Sequence, residues 1–115
     1  MKKDLGFFVL TMGKWEEIRP ACNLDVFNEV AKQFKKLYVA IVADGCVHCT
    51  ELKKKMRETQ IPHPIVEVPG DVCFEIADDL NVDRYPTVCL LEKGKVKSKH
   101  IGNVEKIIER MRAGQ

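Results

Sequence analysis

The sequence predicts an α/β domain with one central mixed sheet of about five strands and helices on both faces, in the order β-α-β-α-β-α-β-β-α. Three observations carry that expectation. Leu37 to Ala43 is a nearly unbroken apolar run containing β-branched residues, as a strand buried on both faces requires. Short runs of this kind alternate with segments whose apolar residues recur at helical spacing, the pattern of strand–helix–strand units. The last two strands flank Lys93-Gly94-Lys95, a tight turn that adds an antiparallel edge. At 115 residues the chain suffices for one domain with a core and is too short for two, so residues 1–115 are read as a single unit.

Each element has a local reason. Phe7-Phe8-Val9-Leu10-Thr11 reads as a first strand, followed by a loop through Trp15, Arg19-Pro20 and Cys22. Asn23 is suited to cap a helix whose Val26, Phe27, Val30, Ala31 and Phe34 make one apolar stripe. After the buried strand 37–43, Asp44-Gly45 turns the chain into a second helix, which ends near Gln60 because Pro62 and Pro64 cannot continue it. Ile65 to Val68 is a short strand. Pro69-Gly70-Asp71 then opens a helix carrying Cys73, Ile76, Ala77 and Leu80 on one face. Val88 to Leu91 is an apolar strand, and Val96 to Ile101 a strand with alternating lysines that suits a sheet edge. Gly102-Asn103 leads into a closing helix with Val104, Ile107, Ile108 and Met111 on one side.

Composition narrows the function. Apolar residues make up 45% of the chain and charged residues 31%, an ordinary soluble balance. A formal charge of +2 argues for neither nucleic acid nor a membrane surface as partner. The apolar stretch Phe7–Leu10 is too brief for a signal-peptide core or a membrane span, so a cytoplasmic protein is expected. Five cysteines without framework spacing make a disulfide-stapled secreted scaffold a poor fit.

Chemistry concentrates in Cys46-Val47-His48-Cys49, where the buried strand gives way to a helix. From Thr50 onward the residues are good helix formers, with Leu52 and Met56 on one face. Cys46 is thereby placed at the helix N-terminus, where free backbone N–H groups and the macrodipole favour a thiolate, the form that attacks disulfides. Cys49, one turn later, is close enough to close a disulfide onto Cys46. This is the geometry of two-step thiol–disulfide exchange.

Over nearly its whole length the chain resembles the thioredoxin superfamily. Cys46 and Cys49 match the family's redox pair, Tyr85-Pro86-Thr87 the segment bearing its cis-proline, Gly94-Lys95 the last hairpin, and Gly102 the glycine before the final helix. The resemblance implies a thioredoxin fold and a monomeric thiol–disulfide oxidoreductase acting on disulfide-bearing proteins. Cys46 is then the nucleophile and Cys49 the resolving thiol, with Val47, Tyr85 and Pro86 lining the substrate groove. It also implies a thiol reductant or reductase as electron donor and no cofactor or metal.

The departures imply a divergent member. Gly45 stands where typical thioredoxins have tryptophan, and Val47-His48 where they have Gly-Pro. The family's buried acid falls at Ala40, its lysine partner near Glu67, and its helix-kinking proline at Lys54. A histidine before the second cysteine resembles the protein disulfide isomerases and periplasmic oxidants. The paired glycines of the glutaredoxin glutathione site are reduced to Gly102 alone.

Plainer readings compete. The pair could be inert or hold zinc within a protein-interaction module, with His48, His63 and Cys73 as further ligand candidates, although no second paired spacing supports them. His48 is either an exposed helix residue or a positive group that favours the Cys46 thiolate. His63 reads as a loop residue and His100 as an edge-strand one. Cys73 and Cys89 lie on apolar faces and read as core, whereas Cys22 is expected to be the exposed, reactive thiol; a second redox pair among the three stays open, with no spacing that indicates it.

Overall fold

A computed structural model describes residues 22–115 in full and, before them, the backbone of two strands, 7–11 and 14–18. In chain order the elements are β1 (Phe7–Thr11), β2 (Lys14–Ile18), α1 (Leu24–Lys32), β3 (Lys36–Val42), α2 (Val47–Glu58), β4 (Ile65–Pro69), α3 (Phe74–Asp79), β5 (Thr87–Glu92), β6 (Lys95–Ile101) and α4 (Val104–Arg112). The strands form one mixed sheet of six, ordered β2-β1-β4-β3-β5-β6.

The sixth strand is a correction. The stretch through Trp15, expected as loop, is β2, which pairs antiparallel with β1 in a register that sets Leu10 against Trp15. Adjacent Glu16 and Glu17 break the apolar alternation that would have marked it. This strand also reverses β1. Instead of entering a crossover directly, β1 lies antiparallel to β4, and β3·β4 is the one parallel pair among the described strands. The parallel character suggested by the alternation of strands and helices is thus confined to the centre.

β3 is buried along nearly its whole length, and its side chains alternate between two core layers. Leu37, Val39 and Ile41 face α1 and α3, where they meet Phe27, Ala31 and Ile76. Tyr38 and Ala40 face α2 and α4, where Leu52, Met56, Ile107 and Met111 pack. Removing each of the Leu, Ile, Val, Phe and Met side chains among these from water contributes about 1.5–3 kcal/mol. The Tyr38 hydroxyl shares its proton between the carbonyls of Met111 (3.2 Å) and Gln115 (3.0 Å), and burial pushes its pKa up to about 12.

Helix starts follow the capping logic. Asn23 accepts the Val26 N–H at 3.0 Å and Asn103 the Lys106 N–H at 3.2 Å. β6, with Lys95, Lys97 and Lys99, forms one sheet edge. His100, expected as an edge-strand residue, is on β6 but buried, its Nε2 2.9 Å from the Gln115 carbonyl oxygen.

Cys22 is a second correction. It is half-buried and disulfide-bonded to Cys73, with the two Cα atoms 4.9 Å apart. The entry to α1 and the entry to α3 meet in one core layer, and Cys22 packs there beside buried Cys73. Cys89 stays a free, buried thiol whose pKa burial pushes up to about 11. Because the Cys22–Cys73 link spans a sequence separation of 51, it constrains the unfolded chain strongly. Replacing both cysteines by alanine should lower stability by about 2–4 kcal/mol. Urea unfolding under non-reducing conditions, with the Cys46–Cys49 bond intact in both proteins, measures this; an unchanged midpoint would mean the link adds nothing.

Candidate active site

The site is assembled by strand direction. β3 and β5 are antiparallel, and Ile41 is paired with Thr87, so the exit of β3 and the entry of β5 lie side by side at one end of the sheet. The first leads through Asp44-Gly45 to Cys46, and the second is preceded by Tyr85-Pro86. The Tyr85–Pro86 peptide bond is cis.

Gly45 makes the turn into α2 at φ +70, a conformation that side-chain-bearing residues rarely adopt. Cys46 then serves as N-cap. Its Sγ accepts the Cys49 N–H at 3.1 Å, and its carbonyl accepts the Thr50 N–H at 3.1 Å. Sulfur thus occupies the place that a serine or aspartate oxygen fills in an ordinary cap, at the positive end of a 12-residue helix. Cys46 is half-buried, whereas Cys49 is 1% exposed and points into the fold. The two are joined by a disulfide with Cα atoms 5.2 Å apart.

Loop 69–73 braces this turn. The Gly70 N–H donates to the Val42 carbonyl at 2.7 Å, and Asp71 Oδ2 accepts the Asp44 N–H at 3.3 Å. Gly70 also lets the backbone pass close to its neighbours: a Cβ there would lie 2.7 Å from both Ile41 Cγ2 and Tyr85 Cε1. This bracing role is not visible from spacing alone.

The remaining sequence-predicted residues are placed unevenly. His48, Tyr85 and Pro86 share an open groove with Ile101, Gly102 and Asn103. Tyr85 and Ile101 are exposed apolar walls, and Pro86 is buried beneath them. Val47 is 78% exposed at the helix tip, outside the residues that line the groove. The His48 side chain is 73% exposed, and its Nδ1 lies 3.7 Å from Glu51 Oε1, so a carboxylate faces whatever positive charge it carries. His63, the loop histidine, lies against the Tyr38 ring with centroids 5.9 Å apart, and burial followed by the nearby Lys36 charge lowers its pKa. Among the described residues, no group of three or more His, Cys, Asp or Glu side chains could hold a metal ion.

Glu67, near which the resemblance set the family's lysine partner, lies beneath α2. Glu67 of β4 is half-buried, and its carboxyl is held above the usual range by burial, against the opposing pull of Lys53 and Arg57.

The thioredoxin family model matches residues 21–113. No curated protein matches the chain by sequence. Oxidized mitochondrial thioredoxin 3 from Saccharomyces cerevisiae is similar at a TM-score of 0.68 and 23% identity, over 80% of this chain and 91% of that one. Thioredoxin from Aeropyrum pernix has the same TM-score of 0.68 at 17% identity, over 99% of this chain and 97% of that one. A chain from work on thiol resolution in yeast mitochondrial 1-Cys peroxiredoxin through glutathione and thioredoxin systems gives a TM-score of 0.60 at 25% identity, covering 80% and 91%.

The contact between Gly70 and Tyr85 is open to test. Gly70→Ala should cost about 1–3 kcal/mol through overpacking and push the Tyr85 ring out of place. Denaturant unfolding together with the Tyr85 fluorescence environment would show it. Unchanged stability and spectrum would mean that the loop absorbs the extra methyl.

Proposed function

The chain belongs to the thioredoxin family, and from that premise we propose that it is a protein thiol–disulfide oxidoreductase working through Cys46 and Cys49. The observation that carries the reading is the cap: the Cys46 sulfur accepts a backbone N–H at the start of α2, so negative charge on that sulfur is stabilised where it is needed. Helix N-termini and neighbouring positive groups bring thiol pKa values from about 8.5 into the range of roughly 3.5–7.5.

In the proposed reaction the Cys46 thiolate attacks one sulfur of a substrate disulfide and the other substrate sulfur leaves as thiolate. Cys49 then attacks the Cys46 sulfur, the bond from Cys46 to substrate breaks, and the Cys46–Cys49 disulfide closes. The substrate gains two electrons and the protein loses two. A thiol reductant or reductase returns the pair to the dithiol form. An extended substrate segment would lie in the groove at Tyr85 and Pro86, with Val47 exposed at the helix tip to meet it.

We keep a monomer, and the cytoplasm, as part of this proposal. No helix among the described residues is long and apolar enough to cross a membrane. The alternative of a zinc-holding interaction module finds no ligand cluster to support it among the described residues.

The order of the two thiols gives a direct test. In the reduced protein, alkylation near neutral pH should label half-buried Cys46 before buried Cys49. Cys49→Ser should accumulate covalent complexes with substrate, and Cys46→Ser should abolish insulin reduction. Faster labelling of Cys49 would overturn the assigned roles.

His48 should act on poise more than on rate. Protonated imidazole favours the thiolate and has nothing comparable to favour in the disulfide, so removing it makes the couple more reducing. Its exposure and the facing Glu51 screen the effect. His48→Pro should therefore shift the potential by about 30 mV or less, the equivalent of a tenfold change in the exchange constant. Equilibration against glutathione measures it, and a potential that becomes more oxidising would refute the role.

A further inference from the structure

Cys73 is anchored where its neighbours are not. Asp71, Val72, Phe74 and Glu75 are all exposed, and Cys73 between them is 2% exposed. The helix it opens, α3, is only six residues long, and its start carries no side-chain cap bond. A helix that short has little stability of its own. What holds this entry in place is the Cys22–Cys73 bond together with the apolar layer around it.

The same loop reaches the exchange site from its other end. The Cys73 N–H donates to the Pro69 carbonyl at 2.7 Å, which closes loop 69–73 on itself. Within the loop, the Gly70 N–H is bonded to the Val42 carbonyl, and Asp71 Oδ2 accepts the Asp44 N–H. A Cβ on Gly70 would collide with Ile41 and Tyr85, so the fit there is close. Asp71 is exposed, and its bond to Asp44 competes with water unless the backbone is held. One short segment therefore carries a disulfide at one end. At the other it touches the turn that delivers Cys46 and the ring that walls the groove.

We propose that the Cys22–Cys73 bond is a thiol-sensitive modification site that sets the state of the exchange site, an inference that rests on the exchange reading given above. Cys22 is half-buried and Cys73 is buried, so an incoming thiolate reaches the Cys22 sulfur. A bond forms between that thiolate and Cys22, the Cys22–Cys73 bond breaks, and Cys73 leaves with its electron pair and takes up a proton. A second thiolate then attacks the sulfur of the attached group. Cys22 departs as thiolate, and the two reagent sulfurs are joined as a disulfide. The protein gains two electrons and the monothiol reductant loses two. Closed, the bond clamps loop 69–73 against Asp44 and Tyr85; open, it leaves the loop to its hydrogen bonds and packing. In a compartment that keeps thiols reduced, such as the cytoplasm proposed above, a bond of this kind is more often a switch than a staple.

The test uses the full chain. Oxidised protein is exposed to 2-mercaptoethanol, quenched with acid and mapped by mass. An adduct on Cys22, with Cys73 left as a thiol, is expected. An adduct on Cys73, or a bond that opens only in denaturant, would overturn the assignment.

Backbone amide spectra then compare oxidised wild type with Cys22→Ala, the Cys46–Cys49 bond being intact in both. The Asp44 and Gly70 N–H signals should move upfield as their hydrogen bonds lengthen, while those of α4 keep their positions. A bond that only staples the fold would lower the unfolding midpoint and leave both signals in place, and that result would overturn the coupling. If Cys22→Ala does not fold, the near-isosteric Cys22→Ser decides by the same two signals.

A rate completes the test. Each protein is reduced at Cys46–Cys49 with one equivalent of dithiothreitol, and alkylation mapping confirms that Cys22 and Cys73 stay joined in the wild type. Cys22→Ala should then reduce insulin about tenfold more slowly, as misplaced reacting groups do. Equal rates would overturn the coupling. No insulin reduction by either protein would instead refute the exchange reading, and the two amide signals would still decide whether the bond holds the loop.

Discussion

The constraint on which the reactive end depends is the burial of β3 on both faces and along both edges. Flanked by β4 and β5, it carries one core layer on each face and cannot slide without exposing every side chain it buries. Its last residues therefore deliver the chain to a fixed point, and the antiparallel register with β5 brings Thr87 to the same point. The Cys46 turn and the Tyr85–Pro86 segment, 39 residues apart from Cys46 to Tyr85 in the chain, meet there because strand pairing leaves them no alternative. Chemistry at Cys46 then requires only that the next helix begin with sulfur in the capping place.

A second theme is the division of labour between the faces of the sheet. The α1/α3 layer contains the Cys22–Cys73 link and holds the loop that braces Asp44 and Tyr85. The α2/α4 layer seats the redox helix on Leu52 and Met56 and admits polar Glu67 and His100. One layer thus supplies position, and the other seats the helix that carries the buried thiol. Polar groups out of water are high-stakes features of a core.

Much of this was legible in the chain. The buried strand, the capped helices and the edge strand of lysines follow from local period and local chemistry, which is why their bounds agree with the structure to within a residue or two. Cys46 could be placed at a helix start for the same reason. What could not be read depends on tertiary register. β2 escaped because Glu16-Glu17 gives no alternating signal, and with it went the direction of β1. The partner of Cys22 is 51 residues away, and only the meeting of two helix entries selects it. Glu67 is placed only by the resemblance, near the family's lysine partner, and the pairing with Ala40 shows which face it occupies. His100 reads only as an edge-strand residue, because nothing in its neighbourhood of sequence announces that the end of the chain after the last helix covers it.

Tyr38 carries a consequence for the order in which the molecule is made. Its hydroxyl is satisfied by carbonyls 73 and 77 residues downstream. A nascent chain emerging from the ribosome has β3 long before it has those acceptors. Until they arrive, the hydroxyl is satisfied only by water, and the face of β3 that supports α2 stays open. The cysteines are therefore translated well before the surface beneath their helix can close. Contacts so distant in sequence are won late and against a large loop entropy. The redox helix is among the early parts of the protein to be synthesised and among the last to be seated.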